Sequence, residues 1–254
     1  MRRSATRRPV RDPGRDAERG SGRGSGRGSG RGSGREPSEA LGPRPATWAL
    51  VAVLAALVLL TCMLAVGWTA LQRVDNTVAD WGYQLTWRHS LRSTVWTDVA
   101  QWGQPFVLRI VLVLTGIYQL VRGRRALGLW LIAVPLVENA VAPSSKYLLN
   151  RPRPHWLHPI AVEHSTSFPS GHAAGAGMFV VAAGLTAAVT VRSRSAGWAV
   201  TAGALVIGVT ICLDRIFLGV HYLSDVVGGV LLGVAITLAG WLVMLALRRR
   251  TRRE

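Results

Sequence analysis

Residues 213–225 read LDRIFLGVHYLSD, and they stand between two apolar runs, VTAGALVIGVTIC at 200–212 and VVGGVLLGVAITLAGWLVMLAL at 226–247. A helix needs about 20 predominantly apolar residues to cross the hydrocarbon core of a bilayer. The second run meets that length by itself, and the first meets it as the segment 197–218. The polar junction between them then falls at the membrane rim. Burying one Asp, Lys or Arg at the centre of a membrane helix costs about 2.5–3.5 kcal/mol even on lenient insertion scales. Asp214, Arg215, His221 and Asp225 therefore belong at a water-facing end of the bundle, or at a site whose chemistry requires them.

Working outward, four more segments have the same character: 46–68 (ATWALVAVLAALVLLTCMLAVGW), 105–121 with Arg109 near its start, 126–143 with Pro135, Glu138 and Asn139 inside it, and 172–191. The expected fold class is all-α, a six-transmembrane-helix bundle. The apolar run at 46–68 follows a basic leader of forty-five residues, which fits an uncleaved span better than a signal peptide. Arg and Lys in short loops set orientation. RGRR at 122–125, RSR at 192–194, RRRTRR at 248–253 and the Arg-rich N-terminus fall on one side if six helices alternate. That side is expected to be cytoplasmic, in the plasma membrane. The loops 69–104 and 144–171 and the junction 215–225 then face outward. The loop 69–104 mixes Val, Leu and Trp with single charges, as one or two amphipathic helices at the interface would, serving as a connector or as a substrate guide.

The chain carries a net charge of +17, and its location matters more than its size. Residues 1–45 hold twelve Arg, no Lys and the repeat GSGRGSGRGSGRGSGR at 20–35. With almost no large apolar side chains this segment is expected to be a disordered cytoplasmic tail resting on anionic headgroups. It lacks the interleaved aromatics of a nucleic-acid-binding tract, so no nucleic acid is expected. The domain plan is a tail over 1–45, a six-span domain over 46–247 and a basic cytoplasmic C-terminus over 248–254. Cys62 and Cys212 both lie in apolar runs and indicate neither a disulfide nor a metal site.

Three polar stretches converge on the expected outer side. In KYLLNRPRP at 146–154, Lys146 offers a compact charge and Arg153 a planar fork suited to phosphate oxygens, stiffened by Pro152 and Pro154. Basic residues beside a span also serve as plain headgroup anchors. In SFPSGHAAGAG at 167–177, Ser170 is a natural helix N-cap. Free N–H groups there suit an anion, and Gly171 allows close backbone approach. His172 stands on the first turn, which could equally be an ordinary helix start. In the third stretch His221 and Asp225 are four apart, on one helix face. The carboxylate can fix the imidazole tautomer and leave the other nitrogen to attack, or the pair simply closes a helix junction. Arg215 lies six residues before His221, and Gly219 permits a break between the last two spans. Glu138 is expected to partner Lys146 or Arg109. The loop HWLHPIAVEH at 155–164 brings His155, His158, Glu163 and His164 near the site, as a plain loop, a headgroup contact or, with irregular spacing against it, a metal site.

Together, Lys-x6-Arg-Pro at 146–154, Pro-Ser-Gly-His at 169–172 and Arg-x5-His-x3-Asp at 215–225 resemble the type 2 phosphatidic acid phosphatase (PAP2) family, whose superfamily includes vanadium haloperoxidases and bacterial acid phosphatases. The resemblance covers roughly 46–247 and looks like the membrane branch. It implies a metal-independent phosphatase that works without a cofactor and takes a phosphorylated lipid as its partner. Undecaprenyl diphosphate, phosphatidic acid and phosphatidylglycerol phosphate are the candidates. It implies His221 as the nucleophile that forms a phosphohistidine and Asp225 as the group that orients it. His172 would be the general acid and base, with Lys146, Arg153, Ser170, Gly171 and Arg215 on the phosphate. The family usually has Ser where this chain has Asp214. That carboxylate either pairs with Arg215 and weakens its hold on phosphate, or faces elsewhere in the bundle. A phosphotransferase that resolves the intermediate with an alcohol, and a catalytically silent binding protein, are the rival expectations.

Overall fold

The computed structural model describes residues 40–251, and the Arg/Gly repeat at 20–35 lies outside the described residues. Within these residues eight α-helices follow one another: α1 (Pro43–Ala65), α2 (Thr69–Thr86), α3 (Ser90–Trp102), α4 (Pro105–Val121), α5 (Arg125–Ser145), α6 (Gly171–Thr190), α7 (Arg194–Phe217) and α8 (Leu223–Arg250). A single 3-10 turn, Lys146–Leu148, continues α5, and no strand occurs among the described residues.

Among the described residues, six helical segments are long and apolar enough to cross a membrane: Pro43–Ala65, Ser90–Val121, Arg125–Leu148, Gly171–Thr190, Arg194–Phe217 and Leu223–Arg250. The protein is a multi-pass membrane protein of the all-α, six-span kind. The second of these segments extends beyond the apolar residues 105–121, because α3 leads into α4 with only Gly103 and Gln104 between them. Pro105 stands at the start of α4, where its missing N–H costs no hydrogen bond. The expected amphipathic loop is a pair of helices, α2 and α3, both packed on α7. Ahead of the first span, Ala40 and Leu41 already rest on the core, and the indole of fully buried Trp241 donates to the Leu41 carbonyl at 2.9 Å.

Small residues decide how α6 and α8 meet. Gly229 and Gly233, four apart on α8, face the backbone of Ser170 and Ala174 on α6, and a Cβ at either position would collide with a carbonyl oxygen. Helices in lipid associate through such close backbone packing, since burying apolar surface gains nothing against hydrocarbon. The consequence for the site is direct: the first turns of α6 and α8 are brought side by side, with Ser170 N donating to the Asp225 carbonyl at 3.0 Å. Gly219, with φ +68°, turns the chain between α7 and α8, and the Trp156 indole packs where a Cβ would stand. The Trp156 indole donates to the Gly219 carbonyl at 2.7 Å and stacks on Tyr83 of α2 with ring centroids 4.1 Å apart.

Within the membrane, Arg109 of α4 and Glu138 of α5 pair at 2.7 Å, with Glu138 fully buried. Glu138 thus finds Arg109, one of its two expected partners. An intramembrane carboxylate without such a partner would be costly to keep charged.

Candidate active site

The site forms where the end of α7, the starts of α6 and α8 and the segment 146–170 meet. Gly219 reverses the chain so that Val220 and His221 fold back over the end of α7, where both backbone N–H groups donate to the Arg215 carbonyl. His221 is nearly fully buried. Arg153 reaches across from its proline-flanked segment. Its Nε donates to the Ser165 carbonyl at 2.7 Å and its Nη1 to the Val220 carbonyl at 2.7 Å, and Nη1 also stands 3.0 Å from His221 Nε2. A guanidinium has only donors, so this contact holds the lone pair on Nε2 and the proton on Nδ1. Burial pushes the His221 imidazole down to about 4, outweighing the pull of the Asp225 carboxylate. The ring is neutral at physiological pH.

Asp225 lies beneath that ring, fully buried. Its Oδ2 is 3.5 Å from His221 Nδ1, close enough for its charge to be felt but too long for a good hydrogen bond. The same oxygen accepts from the Tyr222 N–H at 2.9 Å and from the Ser167 hydroxyl. Its Oδ1 accepts from Arg151 at 2.6 Å.

On the other wall, His172 occupies the first turn of α6, and its Nδ1 is 3.4 Å from Arg215 Nη1. Arg215 is almost fully buried. Asp214 does pair with it: Oδ2 accepts from Nε at 2.7 Å and from Nη2 as well. The neighbouring side chains meet because an arginine is long enough to curl back over one residue. Only Nη1 is left facing His172 and the Glu163 carboxylate, 3.6 Å away. Lys146 completes the basic set, donating one of its three protons to the Thr166 carbonyl at 2.7 Å.

Ser170 stands at the N-cap of α6, but its hydroxyl makes no capping bond and has no partner among the described residues, although the residue is fully buried. A Cβ on Gly171 would meet nothing within 4 Å. The helix start therefore presents open space, unpaired N–H groups and an unpartnered hydroxyl, the features of an anion site. All eight residues expected at the site come together at one end of the bundle.

Sequence reasoning missed the residues behind them. Asp75 of α2, almost fully buried, accepts from Arg151 Nη2 at 2.7 Å, from the Ser224 N–H at 2.9 Å and from the Ser224 hydroxyl at 2.5 Å. Arg151 Nη1 bridges Ser224 and Asp225. Burial lowers the Arg151 guanidinium, and the Asp225 and Asp75 carboxylates more than compensate, leaving it raised. In the sequence Arg151 is only one more cation of KYLLNRPRP. Asp75 and Ser167 carried no signal, because each is an isolated polar residue far in sequence from its partner.

The family model described as the PAP2 superfamily matches residues 126–249, which hold every one of these eight residues. The decaprenylphosphoryl-5-phosphoribose phosphatase of Mycobacterium tuberculosis (strain ATCC 25618 / H37Rv) is 36% identical over 145 residues, covering 54% of this chain and 72% of the relative. The chain belongs to the PAP2 superfamily. A second relative, phosphatidylglycerophosphatase B of Bacillus subtilis (strain 168), is 28% identical over 173 residues, 67% of this chain and 83% of its own. The crystal structure of a transmembrane PAP2-type phosphatidylglycerolphosphate phosphatase from Bacillus subtilis superposes with a TM-score of 0.66 at 24% identity, over 79% of this chain and 96% of that one. That likeness is one of fold, a six-span helical bundle, and the enzyme is a phosphoric monoester hydrolase.

Proposed function

We propose that this PAP2 enzyme removes a phosphoryl group from the head of a membrane lipid through a covalent phosphohistidine on His221, at the extracytoplasmic face of the plasma membrane, with both termini in the cytoplasm. The observation that carries the reading is the Arg153–His221 contact, which leaves a neutral imidazole with its Nε2 lone pair at the basic pocket. A phosphate seated at the start of α6 would meet the Gly171 and His172 N–H groups, the Ser170 hydroxyl, and the charges of Lys146, Arg153 and Arg215. These preorganised donors stabilise charge as it spreads over the equatorial oxygens.

Nε2 attacks phosphorus as the bond to the lipid oxygen breaks, and His172, which takes up a proton when the anionic phosphate enters beside it, supplies that proton to the oxygen. Asp225 orients the ring and balances the imidazolium. His172 then takes a proton from water, which attacks phosphorus and releases His221 and inorganic phosphate. The three cations do the charge work that a metal ion would otherwise do.

The site reads the phosphate, and the bilayer around the six spans supplies the lipid chain. Polyprenyl-linked phosphates, as in the mycobacterial relative's name, undecaprenyl diphosphate, phosphatidic acid and phosphatidylglycerol phosphate form the test panel. Detergent-purified protein is expected to release phosphate from at least one of them, with chelator present and no acceptor alcohol added, and the His221→Ala variant to release none. Activity retained in that variant would remove His221 as nucleophile. Loss on chelation with recovery on adding a divalent ion would remove the metal-free mechanism. Cysteines introduced at positions 160 and 195 test the sidedness, since an impermeant reagent outside the cell is expected to label 160 and spare 195.

A further inference from the structure

Asp75, Arg151, Ser224 and Asp225 close a largely buried ring behind the nucleophile, in which only Arg151 keeps some exposure. Arg151 sits between two carboxylates, at 2.6 Å from Asp225 Oδ1 and 2.7 Å from Asp75 Oδ2, and its guanidinium carbon lies 4.3 Å from the centroid of the Tyr222 ring. Ser224 locks the far side by donating both its N–H and its hydroxyl to Asp75. Asp75 comes from α2, outside the segment 126–249 that the family model covers.

The charges in this ring are unevenly shared. Arg151 alone against Asp225 would make a neutral pair, and a neutral pair does little for a cation forming at His221. The attack on phosphorus makes such a cation. Nε2 gives its lone pair to the new N–P bond, the P–O bond to the lipid breaks with its electrons passing to oxygen, and Nδ1 keeps its proton, so the imidazole becomes a phosphorylated imidazolium. Two carboxylates around one guanidinium leave the ring with a net charge of −1, which matches that cation. In a buried site such a charge acts with little screening.

We infer that Asp75 is a positioning residue for the phosphoryl transfer, a second counter-ion that occupies Arg151 and so keeps the Asp225 carboxylate's charge available to His221. The inference rests on the phosphohistidine reading above. Asp75 does not touch the phosphate, so its effect falls on the chemical step and leaves binding alone.

The test compares wild type, Asp75→Asn, Asp75→Glu and the double variant Asp75→Asn/Arg151→Gln, in detergent, on the best lipid phosphate of the panel. Asp75→Asn is expected to lower kcat by about tenfold or more, with KM changed by less than about threefold. Asp75→Glu is expected to recover much of the loss. The decisive arm is the double variant. Removing Arg151 together with the Asp75 charge returns the net charge of this ring to −1, so it is expected to be faster than Asp75→Asn, whereas two structural lesions would add. A kcat near wild type in Asp75→Asn, or a double variant no faster than the single one, overturns the inference while leaving the phosphatase reading intact. If Asp75→Asn does not fold, an active, folded double variant supports the inference, and failure of both to fold overturns it in favour of a purely structural Asp75. A wild-type protein inert on every lipid of the panel refutes the phosphatase reading itself, a result distinct from all of these.

Discussion

Arg153 Nη1 lies 3.0 Å from His221 Nε2, while the carboxylate of Asp225 stands 3.5 Å from the ring's other nitrogen. The shorter contact comes from the cation, so in this state Arg153 rather than Asp225 dictates which nitrogen carries the proton. The same guanidinium ties Ser165 to Val220, which makes it a clamp on the loop that presents the nucleophile.

Replacing Arg153 by Lys keeps the charge and loses the fork. A lysine cannot hold Ser165, Val220 and Nε2 together, so the Arg153→Lys variant is expected to lose about 10- to 100-fold in kcat/KM. Steady-state phosphate release checks this, and a variant within twofold of wild type would show that charge alone suffices at 153.

Asp214 takes two of the donors that Arg215 would otherwise offer to phosphate. Asp214→Ser, the residue usual in the family, is expected to tighten inhibition by inorganic phosphate or vanadate several-fold. The gain has a structural cost. Arg215 is almost fully buried, and removing one partner of a buried pair typically costs about 3–5 kcal/mol. A lower thermal midpoint in detergent should therefore accompany the lower inhibition constant. Unchanged inhibition would mean that Arg215 reaches phosphate with Nη1 alone.

The contact of α6 with α8 allows no side chain at Gly233, where a Cβ would collide with the Ala174 carbonyl oxygen. Gly233→Val is expected to force the two helices apart and misplace His172 relative to His221. Loss of activity with a marked drop in thermal stability is the expected result. A stable, active variant would show that the helices can slide to a second packing.

The spans were legible because their signal is local: twenty apolar residues announce a membrane helix whatever surrounds them. The site was legible to the same degree as its residues cluster in short motifs, as in 169–172 and 215–225. The failures are long-range. Asp75 and Arg151 are 76 residues apart, and a lone Asp on an amphipathic helix looks like a solvated surface charge. No local pattern shows that Ser90–Trp102, too polar to read as membrane, runs almost directly into α4. At Ser170 the sequence placed the cap correctly, but no pattern reveals that the hydroxyl is left unbonded for another acceptor or donor.

Burial of His221 ties stability to pH, and the sign follows from where the proton goes. In the unfolded chain the imidazole titrates near 6.5, while in the folded protein it is pushed down to about 4. Between these values the unfolded chain holds a proton that the folded protein lacks, so stability rises with pH across the window. The contribution is fully present above about 6.5 and is lost as pH falls through about 4. A shift of this size corresponds to about 3 kcal/mol. Thermal midpoints of the detergent-solubilised protein are therefore expected to fall steadily from pH 6.5 to pH 4. A His221→Gln variant, which has nothing to protonate there, should show a shallower fall over the same range. Equal slopes for the two proteins would mean that His221 stays accessible to protons in the folded state, and the neutral, poised nucleophile would lose its electrostatic basis.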